Sequence, residues 1–173
     1  MYFIFLLKIL SMSFTIREGL AEDCSAVVEL IKELAIFERA EQEMTLSVEE
    51  LKNDGFGENP IYSMYVAEQK GQVIGVALYY EKYSTWKGRC VYLEDLIITE
   101  KCRGIGAGKA LFIAVIKEAK KRNSGRMEWQ VLDWNEGAIN FYKSLGAELD
   151  GEMINGKFRR EQLQGININD ESI

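Results

Sequence analysis

The sequence predicts an α+β fold built around one sheet. Short β-type segments alternate with segments in which apolar residues recur at helical spacing. Two neighbouring β-type segments, residues 61–68 and 73–80, are joined by a turn around Lys70-Gly71, a pattern typical of consecutive antiparallel strands. With 173 residues and 47% hydrophobic content, the chain is long and apolar enough to fill the core of one domain.

The N-terminal half predicts a short strand at residues 14–17 and a helix at residues 22–37. Four apolar residues of that helix recur at helical spacing: Val27, Leu30, Ile31 and Leu34. A second helix is predicted at residues 47–53, because Ser47 can cap it and Glu50 follows three residues later, as in a capping box.

The C-terminal half continues the alternation. Its predicted elements are, in order, a strand at 89–99, a helix at 106–122, a strand at 127–132, a helix at 136–145 and a last strand at 157–164. The segment at 89–99 is the most apolar of the β-type segments, so it is predicted to be the central strand. Gly146 is positioned to end the fourth helix, and order is not expected beyond Gly165.

No linker or repeat divides the chain, so residues 12–173 are predicted to form a single domain. Residues 1–11 are an apolar extension outside that core. The extension is too short to span a bilayer, and it lacks the basic opening and cleavage site of a signal peptide. An upstream start codon or a non-essential segment is the favoured interpretation; an anchor to a membrane surface is the alternative.

Charge and composition exclude several functional classes. The net charge of -6 argues against a nucleic-acid binder, which needs clustered basic residues, and it suits a small cationic substrate. Histidine is absent, which removes Ser-His-Asp and Cys-His mechanisms and the commonest metal ligand. Cys24, Cys90 and Cys102 form no CxxC pair, a usage that fits a reducing compartment rather than a zinc site.

A glycine-rich segment, Arg103-Gly104-Ile105-Gly106-Ala107-Gly108, stands between the most apolar strand and a long helix. Glycines let the backbone approach a ligand, and the N–H groups of a helix start attract anions. This arrangement favours a phosphate or pyrophosphate, although a merely flexible turn is the alternative. No Gly-Lys-Ser/Thr follows, so nucleotide binding of the P-loop type lacks its residues.

The same segment resembles the Arg/Gln-x-x-Gly-x-Gly/Ala loop of the GNAT acetyltransferase superfamily. Other segments, in family order, are similar to its spermidine/spermine N-acetyltransferase branch: Lys32-Glu33-Leu34-Ala35, Asp54-Gly55-Phe56-Gly57, Tyr92-Leu93-Glu94-Asp95, Trp134-Asn135-Glu136, Asn140-Phe141-Tyr142-Lys143 and Leu145-Gly146-Ala147. The resemblance implies a mixed, mainly antiparallel sheet with helices on both faces, in three layers. It covers about residues 14–146.

Two further segments, Tyr83-Ser84-Thr85-Trp86-Lys87-Gly88-Arg89 and Leu132-Asp133-Trp134-Asn135, resemble the thialysine acetyltransferase subgroup. Polyamine enzymes tend to have Asp-Pro where this chain has Ser84-Thr85. The departure removes an anionic group for a distant ammonium, so thialysine or a lysine-like amino acid is favoured, and a diamine or polyamine is the alternative.

The resemblance implies acetyl-coenzyme A (acetyl-CoA) as co-substrate and no metal. The implied coenzyme contacts are Leu96, Ile97, Ile98, Arg103, Gly104, Ile105, Gly106, Ala107, Gly108, Lys109, Asn135 and Tyr142. Core packing alone also explains the apolar side chains at 96–98, and Asn135 also suits a helix N-cap.

Glu94 and Tyr142 are the predicted catalytic residues. A carboxylate within the apolar run at 91–98 is costly without a partner, and by resemblance Glu94 binds the substrate ammonium or accepts its proton. A salt-bridged or edge-exposed pair with Asp95 is the alternative, and in a regular strand Asp95 points to the opposite face. Tyr142 matches the family tyrosine that protonates the leaving thiolate; a core aromatic is the alternative.

The predicted substrate contacts are Phe37, Glu38, Ser84, Thr85, Trp86, Glu94 and Asp95. Trp86 would form an aromatic wall for an ammonium, or simply pack on the core. The expected activity is direct acetyl transfer to a small-molecule primary amine. Alternatives are a non-catalytic CoA-binding regulatory module and an enzyme acting on a protein amine. The resemblance also implies a homodimer in the cytoplasm, without nucleic acid or stable membrane association.

Overall fold

The computed structural model describes residues 14–165, which divide into two compact units, one ending at Gln130 and one beginning at Val131. The first unit holds a five-stranded sheet with its strands in chain order: β1 (Thr15–Glu18), β2 (Ser63–Gln69), β3 (Gln72–Ser84), β4 (Gly88–Ile98) and β5 (Met127–Glu128). All neighbouring strands are antiparallel except β4 and β5, which are parallel. The predicted fold class is therefore confirmed, whereas one domain over residues 12–173 stays a prediction.

Three helices belong to this unit: α1 (Cys24–Phe37), α2 (Val48–Phe56) and α3 (Ala107–Lys121). The start of α2 confirms the predicted capping box. The Glu50 N–H donates to Ser47 Oγ at 3.1 Å, and the Ser47 N–H donates to Glu50 Oε2 at 2.9 Å. The two bonds satisfy amides that a helix start leaves without partners.

Helices cover both faces of the sheet. One face and the helices α1 and α2 share a buried cluster of Cys24, Val27, Val28, Leu30, Leu51, Met64, Val66, Val76, Leu78 and Ile97. Side chains alternate along a strand, so Tyr79 points away from the face that holds Leu78. The guanidinium of Arg122, which follows α3, lies 5.5 Å from the Tyr79 ring centroid. The predicted three-layer arrangement is present within this unit.

The second unit contains α4 (Glu136–Ser144) and α5 (Arg160–Gly165). Gly146 ends α4 with a φ of 82°, as the sequence predicts. The Gly146 N–H donates to the Lys143 carbonyl and the Ala147 N–H donates to the Tyr142 carbonyl. This pair of bonds is a Schellman motif, which satisfies two carbonyl groups at the helix end.

One predicted strand is shorter than expected and another is wrong. The strand predicted at 127–132 is β5, which comprises only Met127 and Glu128 and pairs with Val91 and Tyr92 of β4. The strand predicted at 157–164 is instead the helix α5. There the backbone N–H of Arg159 donates to Gln162 Oε1, and the local sequence is rich in residues that favour helices.

The middle position of the sheet belongs to β3, so the prediction that the segment at 89–99 is the central strand is wrong by one place. β4 nevertheless has a strand on each side, which agrees with its apolar sequence. The predictions for residues 1–11 and for the tail beyond Gly165 lie outside the described residues.

Candidate functional site

The glycine-rich segment forms the turn that leads from β4 into α3. Gly104 and Gly106 adopt φ values of 81° and 90°, which side-chain-bearing residues adopt only with strain. A Cβ atom at either position would meet no described atom within 4 Å. The two glycines are therefore required by the backbone conformation rather than by lack of space.

The start of α3 presents backbone donors at the end of this turn. The Ala110 N–H donates to the Gly106 carbonyl, so the amides of Ala107, Gly108 and Lys109 precede the first bond within the helix. Amides in this position carry the positive end of the helix dipole and bind anions. The backbone geometry that a phosphate site requires is therefore present, and residues 103–109 can accommodate a pyrophosphate.

Arg103 joins two predicted site residues at the end of β4. Its Nε donates to the Ile98 carbonyl at 3.1 Å, and its guanidinium lies 5.6 Å from the ring centroid of Phe37, the last residue of α1. Phe37, a predicted substrate contact, is thus next to the glycine-rich turn. Arg103 is exposed, so an anion can reach its guanidinium group.

One edge of β4 is left open where coenzyme contacts are predicted. On the β3 side the strand is paired up to Ile98, but on the β5 side pairing involves only Val91 and Tyr92. Within residues 14–130, the stretch 93–98 therefore has no strand on that edge. Its peptide groups on this side, including those of residues 96–98, are placed to bind an extended polar ligand.

A bulge in β4 determines the position of the predicted acidic pair. Leu78 is opposite Asp95 and Tyr79 is opposite Leu93, so Glu94 is the extra residue without a Cα partner. The expectation that Glu94 and Asp95 point to opposite faces assumed a regular strand. The bulge breaks the alternation: Asp95 is paired with Leu78, and Glu94 accepts a hydrogen bond from Tyr80, which shares a face of β3 with Leu78.

The pair and Glu38 form an acidic cluster on the α1 face of the sheet. Burial raises the pKa of Asp95 to about 6, with further contributions from the charges of Glu94 and Glu38. Burial also raises the pKa of Glu38, which follows the last residue of α1. Asp95 is thus repelled by the charges of Glu94 and Glu38, and such a group of carboxylates is a good site for an ammonium group.

Two features near this cluster were not predicted from the sequence. The Tyr80 hydroxyl donates to Glu94 Oε2 at 3.1 Å, although the two residues are 14 positions apart. A cavity of about 390 Å³ lies beyond Tyr80, between the ends of β1, β2, α2 and α3, and no predicted site residue lines it. Residues two positions apart on a strand share a face, so the sequence could have placed Tyr80 on the same face as Leu78. It could not have identified Glu94 as the hydrogen-bond partner of Tyr80.

The hairpin tip between β3 and β4 is remote from the acidic cluster. Ser84 is opposite Gly88, six residues before Glu94, a separation of about 20 Å along an extended strand. Ser84 Oγ accepts hydrogen bonds from the backbone N–H groups of Trp86 and Lys87, both at 3.2 Å, and Trp86 is 87% exposed. The structure therefore does not bring Ser84, Thr85 and Trp86 together with Glu94 in one chain.

The second unit contains the two remaining predicted residues. Asn135 caps α4, because its Oδ1 accepts a hydrogen bond from the Ala138 N–H at 3.1 Å. Tyr142 is buried, with its ring 5.2 Å from that of Phe141. Burial raises the pKa of Tyr142 to about 12, so its hydroxyl is protonated at neutral pH and can donate a proton.

Residues 14–165 contain no group of three or more Cys, Asp or Glu side chains arranged to hold a metal ion. None of the helices in this range is long and apolar enough to cross a membrane.

Several known proteins are similar to this chain in sequence. The sequence model of the acetyltransferase (GNAT) family matches residues 26–147. The thialysine N-epsilon-acetyltransferase of Mus musculus is 42% identical over 141 residues, which cover 77% of this chain and 83% of that protein. The spermidine/spermine N(1)-acetyltransferase-like protein 1 of Homo sapiens is 36% identical over 161 residues, which cover 87% of this chain and 23% of the longer human protein.

The fold also matches a solved structure. An integron cassette protein from the mobile metagenome of V. cholerae superposes with a TM-score of 0.71 and 26% sequence identity. The match covers 88% of this chain and 96% of that one.

Proposed function

This chain belongs to the GNAT family of acetyltransferases, and on that premise we propose that it acetylates the primary amine of thialysine or a lysine-like amino acid. Its class is acetyl-CoA-dependent amine N-acetyltransferase. The observation that supports a small cationic acceptor is the cluster of Glu38, Glu94 and Asp95 on one face of the sheet. An ammonium group there would offset the mutual repulsion of the carboxylates.

Residues 103–109 and the open edge of β4 are proposed to hold the coenzyme. The amides of Ala107, Gly108 and Lys109 and the Arg103 guanidinium would bind the pyrophosphate. The peptide groups of residues 96–98 would bind the pantetheine arm and the acetyl group. Asn135 and Tyr142 complete the predicted coenzyme contacts on the strength of the motif that they match.

The proposed reaction is a direct transfer without a covalent enzyme intermediate. Acetyl-CoA supplies a thioester, whose C–S bond breaks as the amine nitrogen forms the new N–C bond. A Glu94 carboxylate oxygen binds the substrate ammonium and accepts a proton from it, directly or through water, because only a neutral amine is a nucleophile. The Tyr142 hydroxyl donates its proton to the departing sulfur, and the second proton that the nitrogen loses as the amide forms restores this hydroxyl, directly or through water. The products are an amide and the free thiol of coenzyme A.

Two observations favour a short amino-acid-like amine over a polyamine. Relatives named for thialysine acetylation are up to 42% identical to this chain. Ser84 and Thr85 supply no carboxylate at the hairpin tip, so a distant second ammonium has no anionic partner there. A diamine or polyamine, and a protein amine, remain the alternative acceptors.

A homodimer in the cytoplasm is also part of the proposal. A second copy would be needed for residues 84–86 to reach an amine bound at Glu94, since they are about 20 Å away along the hairpin in one chain. Cys24, Cys90 and Cys102 are all free thiols, which agrees with a reducing compartment.

The test is release of the coenzyme A thiol with a panel of amines: thialysine, lysine, ornithine, spermidine, spermine and a lysine-containing peptide. We expect the highest kcat/KM with thialysine or lysine, and mass spectrometry should show acetylation at the side-chain amine. A clear preference for spermidine or for the peptide would contradict the proposed substrate. Absence of thiol release with every amine would contradict the proposed function as a whole.

A further inference from the structure

Glu94 needs a partner to hold its side chain in one orientation. The bulge leaves it exposed and without an opposite residue on β3. An exposed glutamate has several rotatable bonds and loses considerable entropy when it is fixed. A proton acceptor whose carboxylate samples many orientations would be aligned with the amine only part of the time.

Tyr80 supplies that partner. Its hydroxyl donates to Glu94 Oε2 at 3.1 Å. In the described part of the chain, this is the hydrogen bond that the Glu94 carboxylate accepts. The bond occupies one carboxylate oxygen and leaves Oε1 for another donor, which is what an amine acceptor site requires.

The Tyr80 ring is itself held in place by the strand opposite. Tyr80 and Tyr92 are paired across β3 and β4, and their ring centroids are 5.3 Å apart. The Lys82 ammonium lies 5.1 Å from the Tyr92 ring centroid on the same hairpin and 3.5 Å from Glu128 Oε2. The donor is therefore attached to a ring that packing and ionic contacts orient before any substrate binds.

The hydroxyl stays protonated in the pH range in which amines are acetylated. Burial, together with the charge of Glu94 and the hydrogen bond to it, raises the pKa of Tyr80 to about 12. Tyr80 is thus a donor throughout this range and does not compete with Glu94 for the substrate's proton.

We propose that Tyr80 is a positioning residue, which directs one oxygen of Glu94 to the acceptor amine by binding the other. The inference rests on the proposed function of Glu94. The effect of Tyr80 on turnover should therefore disappear when the Glu94 carboxylate is replaced.

The experiment compares Tyr80→Phe with Tyr83→Phe, using thialysine, or whichever amine of the panel is acetylated best. Phenylalanine at position 80 keeps the ring against Tyr92 and removes only the donor. Tyr83 lies on the same strand and is 73% exposed, so its variant controls for loss of a hydroxyl. We expect Tyr80→Phe to lower kcat/KM about tenfold, as loss of a hydrogen bond to a charged group does.

A double-mutant cycle with Glu94→Gln separates positioning from a structural role. Tyr80→Phe should have little further effect once Glu94 is replaced, whereas a purely structural residue would reduce activity by the same factor in both backgrounds. Equal losses in both backgrounds, or equal activity of Tyr80→Phe and Tyr83→Phe, would overturn the inference while leaving the proposed function intact. Inactivity of the unmodified protein with all amines would overturn the proposed function instead.

Discussion

The coenzyme region and the amine region are built from different parts of the chain. The coenzyme region, residues 103–109 with the end of β4, consists mainly of backbone: positive φ values at Gly104 and Gly106 and the first amides of α3. The amine region, Glu38, Glu94 and Asp95 with Tyr80, consists of side chains from α1, β3 and β4. The coenzyme region therefore depends on local backbone conformation, whereas the amine region depends on how β3 and β4 pair.

This difference explains how much of each region could be predicted. The glycines of the turn are close together in the sequence and a helix start can bind an anion, so the proposed phosphate site could be predicted from the residues alone. The acidic cluster depends on one extra residue in β4. Alternation along a regular strand predicted opposite faces for Glu94 and Asp95, and no local pattern indicates that their strand contains a bulge.

The fold shows the same division. The capping box of Ser47 and Glu50 and the end of α4 at Gly146 were predicted, because they are formed by residues within a few positions of one another. The length of β5 was not, because it depends on pairing with β4, which is more than thirty residues away in the sequence. The helix α5 was mistaken for a strand because its periodicity is weak over only six residues.

The largest expected effect is in the amine region. Glu94→Gln should lower turnover about 10³-fold, within the range for loss of a general base. The loss should be greatest at low pH, where most of the amine carries a proton that must be removed. The check is the pH profile of kcat, with the exposed Glu49→Gln as control. An unchanged profile would remove Glu94 from the proton transfer.

Replacing Tyr142, in the second unit, should have the next largest effect on turnover. Tyr142→Phe should lower kcat about 10²-fold, because a phenylalanine cannot protonate the departing sulfur. The ring is kept, so coenzyme A should bind as before. Single-turnover kinetics would measure the rate of acetyl transfer, and calorimetric titration would measure the affinity for coenzyme A. Turnover equal to that of the unmodified protein would exclude the proposed proton donation.

The raised pKa of Asp95 predicts a pH-dependent effect on stability. The pKa rises from its ordinary 3.8 to about 6, so the folded state binds the proton more tightly than the unfolded state does. Ionised Asp95 therefore costs stability above pH 6, and the cost disappears as pH falls through 6 towards 4.

Asp95→Asn should thus be more stable than the unmodified protein by about 2 kcal/mol at pH 8, allowing for solvent screening. The difference in the free energy of unfolding, measured with urea, should shrink at pH 5. A difference that does not change with pH would contradict the raised pKa of Asp95, whose main cause is burial.

Substitutions in the coenzyme region should have smaller effects, and replacing Gly106 should weaken coenzyme binding more than replacing Gly108. Gly106→Ala forces a side chain into a left-handed conformation, a strain of about 1–2 kcal/mol, which corresponds to about tenfold weaker coenzyme binding. Gly108→Ala should be nearly neutral, because the added carbon would lie 3.6 Å from Ile98 Cγ1, an ordinary contact. Equal KM values for acetyl-CoA in both variants would show that the conformation of the turn does not matter.

The separation of the two regions is tested most directly by measuring coenzyme A affinity and turnover at saturating acetyl-CoA in Glu94→Gln and Gly106→Ala. Calorimetric titration should give Glu94→Gln a Kd close to that of the unmodified protein, with turnover nearly lost. Gly106→Ala should bind coenzyme A more weakly and recover most of its turnover when acetyl-CoA is saturating. Loss of both properties in both variants would contradict a backbone-built coenzyme site beside a side-chain-built amine site.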